Sequence, residues 1–146
     1  MAGFADTDEG REACKLALME LAEAFGVPDG VLDPLMPIAM EGRLYLKDGK
    51  VAYILAKPFK LKNEEKFDRV ELREPEAPDY MAYSNGMTIN VNRATEMASF
   101  DPVFVFKRTM KAVSVLSGEG VGIVDRFSVR DIRTLGEVCD ALGFFE

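Results

Sequence analysis

The fold of this 146-residue chain is decided by residues 70–79, which read VELREPEAPD. The first residues alternate apolar and charged side chains, the two-residue period of a strand with one buried and one solvated face. Pro75 has no amide hydrogen for a sheet ladder and therefore ends the strand. Pro78 suits a first helical turn, and Asp79 places a carboxylate near the positive end of that helix. The sequence therefore predicts β-hairpins before this stretch and mainly helices after it.

The composition is typical of one globular domain. Of its residues, 48% are hydrophobic and 29% are charged, and the net charge is -7 with a pI near 4.7. Phosphate backbones and anionic lipids repel such a chain, so we expect neither nucleic acid nor a membrane as partner. Seven of the acids lie in residues 1–30, against two basic residues. This excess indicates either a solvated helix face or an interaction surface.

The start of the chain does not resemble a secretory signal, because it lacks a positive region followed by an apolar run. No stretch approaches the roughly 18 to 20 apolar residues that a membrane span needs. We therefore expect the protein in the cytoplasm of its host cell.

The residue types argue against an enzyme. The sequence has no histidine, which excludes the usual nucleophile pairs and the commonest metal ligand, and its only cysteines are Cys14 and Cys139. The neighbouring carboxylates Glu64-Glu65 and Glu74/Glu76 lie in turn-like, solvated positions where nothing would raise a pKa. We therefore predict no catalytic residue, no metal and no cofactor.

The N-terminal 40 residues are predicted to form a helical arm. Between Asp6 and Phe25, apolar residues recur at helical spacing, and a glycine and a proline then end the helix. Residues 29–40 contain two prolines and can hold at most a short helical turn. We expect an arm at 1–40 and an α+β domain at 41–146, together forming one compact unit.

The clearest strand signal lies around Asp48-Gly49, a two-residue turn whose twist suits paired strands. In that register Leu46 faces Val51 and Leu44 faces Tyr53. A further strand pair follows, with an irregularity that we expect near Phe67. The sequence therefore predicts an α+β fold with a small antiparallel sheet of three to four strands, at about residues 42–73, flanked by an N-terminal helix and a set of C-terminal helices.

Residues 86–100 fit either a short strand or an irregular entry to a helix. Asp101-Pro102 then has the residues of a helix start, with Asp101 as cap. The apolar stripe of this helix includes three candidates for contact with a protein partner, namely Val103, Phe106 and Met110.

The last helix has a start signal in Ser128, with Asp131 at the third helical position. The chain then ends in Phe144-Phe145-Glu146. We favour a terminal pair folded onto the domain, because exposed aromatic pairs reduce solubility. The alternative is that Phe144 and Phe145 form an end that binds a partner.

From about residue 51 to the end, the order of short motifs resembles the small tail assembly chaperone proteins of Mu-like long-tailed phages. The motifs are LAKPF at 55–59, VELREP at 70–75, Asp79, LSG at 116–118, FSVRD at 127–131 and the final Phe-Phe. Residues 1 to about 40 have no counterpart in this resemblance.

The resemblance implies a non-enzymatic chaperone of a phage or prophage tail that binds the long, apolar tape-measure protein during assembly. Two alternatives are kept. The first is a structural or adaptor component of the tail, and the second is a small enzyme that uses carboxylates. Within the motif, Arg73, Glu74, Pro75 and Asp79 are interpreted as a structural corner, where Arg73 bonds a carboxylate across the strand–helix junction. The oligomeric state stays open at this point.

Overall fold

The computed structural model describes residues 3–84, 89–92, 97–100 and 102–145. The helices are α1 (Asp8–Ala24), α2 (Met36–Met40), α3 (Ala77–Ser84), α4 (Pro102–Ser117), α5 (Val121–Val124) and α6 (Val129–Ala141). The strands are β1 (Leu44–Lys47), β2 (Lys50–Lys60), β3 (Lys66–Leu72), β4 (Ile89–Asn92) and β5 (Met97–Phe100). The fold is α+β, as the sequence predicts.

The N-terminal helix α1 begins after Thr7, whose hydroxyl accepts a hydrogen bond from the amide of Gly10 at 3.0 Å. This bond satisfies one of the amides that a helix start leaves without a partner. Cys14, Leu18 and Leu21 lie on its buried face. After α1 a 3-10 turn (Asp33–Leu35) leads into α2, a little more helix than the two prolines led us to expect.

The main sheet has the strand order β1-β2-β3, and both pairs are antiparallel. The predicted hairpin register is confirmed, with Leu44 opposite Tyr53 and Leu46 opposite Val51. The irregularity predicted near Phe67 is confirmed, because the pairing of β2 with β3 shifts between Ile54, opposite Arg69, and Phe59, opposite Phe67, and the extra residues lie in β2. The sheet needs this shift because the backbone of β2 has another partner there, as described below.

The segment for which the sequence left strand and helix open contains two strands. β4 and β5 pair antiparallel, with Ile89 opposite Phe100 and Asn92 opposite Met97. The predicted cap Asp101 lies outside the described residues. Near the C-terminus, the Gly-rich loop after α4 leads into the short helix α5, which the sequence did not indicate.

One apolar core joins the N-terminal helix, the sheet and the C-terminal helices. Its buried members include Leu18 of α1, Tyr53 of β2, Leu72 of β3, Leu116 of α4 and Leu135 of α6. The residues predicted as an N-terminal arm therefore share their core with the rest of the chain. This common core holds α4 and α6 against the sheet, and these two helices carry the site described next.

Candidate functional site

A buried carboxylate, that of Asp131, connects the start of α6 to the middle of β2. Its side chain is 0% exposed. Oδ1 accepts hydrogen bonds from the Tyr53 hydroxyl at 2.7 Å and the Ala56 amide at 2.8 Å. Oδ2 accepts from the Lys57 amide at 3.1 Å and the Ser128 hydroxyl at 2.9 Å. We call these five residues the Asp131 cluster.

The cluster explains the shift of register in β2. The amides of Ala56 and Lys57 bond the carboxylate of Asp131 in the stretch where β2 and β3 are not in register. Pro58, which follows them, has no amide to offer to a sheet ladder. The backbone of β2 is therefore shared between its neighbouring strand and the N-terminal end of α6.

Hydrogen bonding keeps this carboxyl group ionised despite its burial. Burial alone raises the pKa of Asp131, but the bonds from Tyr53, Ala56, Lys57 and Ser128 outweigh that cost and hold the pKa below its ordinary value. Burial, followed by the bond to Asp131, raises the pKa of Tyr53. The tyrosine hydroxyl is therefore a stable donor to the carboxylate at neutral pH.

Arg43 supplies a positive charge at the edge of the cluster. Its Nη2 donates to the Tyr53 hydroxyl oxygen at 2.9 Å and lies 3.8 Å from Asp131 Oδ1. Its Nε donates to the carbonyl of Ile54 at 3.1 Å. Since both carboxylate oxygens accept two hydrogen bonds each, the arrangement is suited to fixing α6 on the sheet.

A second ionic contact fixes the corner between β3 and α3. Arg73 binds the Asp79 carboxylate through two bonds, Nη1 to Oδ2 at 2.6 Å and Nη2 to Oδ1 at 3.0 Å. The same carboxylate accepts the Glu76 amide at 2.9 Å, which caps the helix. The hydrogen bond from Arg73, and then that from Glu76, lower the pKa of Asp79 to about 2. Arg73 therefore bonds a carboxylate across the corner, the contact that the sequence suggested.

The other two motif positions at this corner have simple placements. The carbonyl of Glu74 accepts a bond from Arg73 Nη1 at 3.3 Å, and its side chain is exposed. Pro75 lines a shallow concavity of about 350 Å³. The corner thus sets the angle between the sheet and α3. Its two charged motif residues, Arg73 and Asp79, are paired with each other.

The carboxylate pairs considered from sequence lie at the surface, and Glu74 and Glu76 line the same shallow concavity as Pro75. Glu64, Glu65, Glu74 and Glu76 are exposed. In the described ranges, no group of three or more cysteine, aspartate or glutamate side chains is placed to hold a metal ion. Across the same residues, no helix is long and apolar enough to cross a bilayer.

An extended concave surface runs between α4 and α6. Two adjoining concavities, of about 500 and 440 Å³, share four lining residues: Val105, Thr109, Gly136 and Glu137. The first is also lined by Phe106, Ile132 and Arg133, and the second by Tyr80, Arg108, Asp140 and Phe145. We call the whole surface the α4–α6 groove.

A close approach of the two helices forms the floor of this groove. A Cβ atom on Gly136 would lie 3.0 Å from the Thr109 hydroxyl oxygen, so a larger residue would push the helices apart. Thr109 is buried and its hydroxyl donates to the carbonyl of Val105 at 3.1 Å. The groove therefore has an apolar, preformed floor with charged residues along its rim.

The structure separates the five candidate partner-binding residues. Phe106 and Phe145 line the groove and are half-buried. Val103 is 60% exposed on the first turn of α4, outside the lining. Met110 packs against the core.

Phe144 belongs to the core. It is 2% exposed and its ring meets that of Phe25 edge-on, with centroids 5.6 Å apart. The Tyr83 hydroxyl donates to its carbonyl oxygen. Phe145 lies under the Arg108 guanidinium, 3.9 Å from ring centroid to Cζ. The terminal pair is therefore folded onto the domain, and Phe144 offers no surface to a partner.

Two motif stretches that are far apart in the sequence meet in this structure. The LAKPF stretch (55–59) supplies the amides that bond Asp131, and the FSVRD stretch (127–131) supplies the carboxylate. The rings of Phe59 and Phe127 lie 6.0 Å apart at the same junction. Both stretches were noted as motifs in the sequence. Their contact and the roles of Arg43 and Tyr53 were not predicted.

Comparison with known proteins identifies a family. The sequence model of the family described as "Phage tail assembly chaperone proteins, E, or 41 or 14" matches residues 52–143. No curated protein and no solved structure matches the chain. The match covers more than half of the 146 residues and includes most of β2, all of β3, the corner, the Asp131 cluster and all of the α4–α6 groove lining except Phe145. The chain therefore belongs to the family of phage tail assembly chaperone proteins.

Proposed function

We propose that this chain is a non-enzymatic chaperone that binds the tape-measure protein while the tail tube assembles in the cytoplasm of the bacterial host. The observation that carries the proposal is the family match over residues 52–143. An elongated apolar client needs a partner that covers its surface until the tube encloses it. A binding function of this kind requires an apolar groove on a rigid scaffold and no reacting group.

The α4–α6 groove is the surface that we assign to the client. Amphipathic helices bind by placing one apolar face in a groove between helices. Val105 and Phe106 supply apolar surface there, above the buried Ile132, and Gly136 lets the two helices approach closely at the floor. Val103, which is 60% exposed beside the groove, extends the apolar surface along α4.

The fixed position of α6 supports this assignment. A groove binds well when its walls do not have to be ordered during binding. The Asp131 cluster holds the start of α6 on the sheet through three hydrogen bonds from β2 to one carboxylate. The two walls of the groove are therefore held in place before a client arrives.

Co-expression with the tape-measure protein of the same genome tests the proposal. Soluble material would be separated by size and its mass measured by light scattering. We expect the tape-measure protein to be insoluble alone and to co-elute with this chain when both are made. Purified tails should then lack the chain.

A pair of matched variants locates the contact. Val105→Arg places a charge in the groove, where a bound apolar helix would have to desolvate it, so the complex should be lost. Leu46→Arg makes the same change on the edge strand β1 and should leave the complex intact. Circular dichroism would confirm that both variants fold.

A tape-measure protein that is soluble alone and forms no complex would refute the chaperone function. Equal losses of binding in Val105→Arg and Leu46→Arg would refute the location. The first outcome, together with stoichiometric amounts of the chain in finished tails, would establish the structural-component alternative instead.

A further inference from the structure

Two oppositely charged concave surfaces lie on this chain, outside the α4–α6 groove. The first, which we call the acidic face, has a volume of about 650 Å³ and lies along α1 and the following loop. Its lining includes Leu16, Met19, Glu20, Glu23 and Asp29. No basic residue contributes to that lining.

The acidic face lies opposite the buried face of α1. Leu16 is two residues from the buried Cys14 and Leu18, which places it about 200° around the helix from the core. It is nevertheless 57% exposed, and Met19, one turn on, is 40% exposed. Two large apolar side chains next to each other on the solvent side, inside a concavity, are characteristic of an interaction surface.

The second surface, which we call the basic pocket, has a volume of about 600 Å³. Leu61 and Ile123 supply apolar lining, and Lys62 and Arg126 supply two positive charges. Gly120 and Gly122 leave it open, because a Cβ on either would meet nothing within 4 Å. No acidic residue contributes to its lining.

The charges of both surfaces are free to pair with another molecule. Among residues 3–84 and 103–145, Glu20, Glu23, Asp29 and Lys62 have no ion pair within the chain. Arg126 is held in position, since it donates to the Lys60 carbonyl at 2.7 Å and covers the Phe59 ring at 4.4 Å. Its guanidinium has five donors, so several remain for a carboxylate.

We propose that the acidic face of one copy binds the basic pocket of a second copy. Leu16 and Met19 would cover Leu61 and Ile123, while Glu20 and Glu23 face Lys62 and Arg126. The two surfaces share no lining residue, so each copy presents both at once. Such a contact is heterologous and builds head-to-tail rings or rows of chaperones.

The net charge of -7 limits the strength of this association but does not prevent it. At about 0.15 M salt, repulsion beyond about 8 Å is screened, whereas charges in contact still attract. α1 lies outside the family match at 52–143, and the basic pocket lies inside it. The proposal is independent of the function proposed for the α4–α6 groove, which it leaves unoccupied.

Sedimentation velocity at increasing protein concentration tests the proposal. The mass of the wild-type chain should rise above the monomer mass of 16.2 kDa. Glu20→Lys with Glu23→Lys should raise the Kd for self-association by about tenfold or more, because like charges then face each other. Lys62→Glu with Arg126→Glu should do the same. If the loss of Arg126 affects folding, Lys62→Glu alone replaces the double variant in this test.

Mixing the two reversed proteins gives the decisive result. Each alone should associate more weakly than the wild type, but in a mixture every acidic or basic surface has an opposite partner, so association should return. Glu137→Lys with Asp140→Lys makes the same change in net charge on α6 and should associate like the wild type.

Three outcomes would overturn the proposal. The first is a wild-type chain that stays monomeric at every concentration. The second is a mixture of the two reversed proteins that stays monomeric. The third is an association that the α6 control weakens as much as the reversal on α1.

Discussion

Replacing Asp131 by alanine is expected to lower the free energy of unfolding by about 3–5 kcal/mol. The carboxylate is fully buried and accepts four hydrogen bonds, from two side chains and two backbone amides. Alanine removes the acceptor and leaves the donors in place. The cost therefore arises mainly from donors that lose their partner.

The magnitude is worked from the three of the four donors that lie on β2. A buried donor without an acceptor costs about 1–3 kcal/mol. Ala56 and Lys57 belong to exposed residues, so water partly replaces the carboxylate and each amide should cost about 1 kcal/mol. The Tyr53 hydroxyl is buried in the core and should cost about 1–3 kcal/mol.

Urea unfolding followed by circular dichroism would measure the change, with thermal unfolding as a second reading. For a chain of this size a loss of about 3–5 kcal/mol corresponds to a decrease in Tm of roughly 10 °C. Glu137→Ala, at an exposed position on the same helix, is the matched control and should change stability by less than about 0.5 kcal/mol.

The pH dependence provides an independent check. The folded pKa of Asp131 lies below its ordinary value of about 4, so its contribution is complete above that pH. The contribution decreases as the pH falls through the folded pKa. The difference between wild type and Asp131→Asn should therefore be constant near neutrality and become smaller in acid.

A loss of less than about 1 kcal/mol in Asp131→Ala would refute the reasoning, because it would mean that water satisfies all these donors. Additive losses in Tyr53→Phe, Asp131→Asn and the double variant would also contradict it, since partners in one buried bond should show coupling.

Two further predictions concern the corner and the thiols. Asp79→Asn should cost about 1 kcal/mol at pH 7, because Arg73 is 41% exposed and solvent screens the pair. That cost should shrink as the pH falls from about 4 towards 2 in urea titrations, and equal costs at both ends would contradict the assignment. Cys14 and Cys139 are both 0% exposed, and burial raises the pKa of both thiols, that of Cys139 to about 12. They should react with a thiol reagent only as fast as the protein opens, whereas the urea-unfolded control reacts at once; immediate reaction of the native protein would contradict the burial.

Local signals account for what the sequence predicted correctly. The Asp48-Gly49 turn fixes the register of its hairpin by itself, because both residues adopt positive φ, at 51° and 78°. Ser128 accepts the amide of Asp131 at 3.1 Å, as the spacing of a helix cap requires. Each of these features depends on residues within a few positions of one another.

The Asp131 cluster could not be predicted in the same way, because its members come from positions 53–57 and 128–131. A signal was nonetheless present in the sequence. Asp131 precedes Leu135 by four residues and Val138 by seven, so it lies on the apolar stripe of α6. A carboxylate on a buried stripe must find several donors, and a search for them would have pointed to a strand with free amides.

The strand that carries the extra residues of the irregularity was not predicted, for the same reason. An odd spacing at Phe67 was visible in the sequence, but the strand that deviates is the one whose amides bond α6. The helix α5 has four residues and is too short to show a hydrophobic period. The α4–α6 groove depends on the packing of two helices, so the sequence indicated Phe106 and Phe145 without the groove that they line.

The bonds between β2 and α6 also set the order in which this protein can be completed. Residues 56 and 57 are synthesised early, yet their carboxylate partner is 74 or 75 positions later in the chain. Contacts of such sequence separation form late, after the entropy of closing a long loop has been overcome. Until residue 131 has been synthesised, the nascent sheet therefore has unsatisfied amides beside an apolar surface that has no cover. We propose that this protein shields the apolar surface of another chain. During its own synthesis it therefore passes through a stage in which its own apolar surface is exposed to solvent.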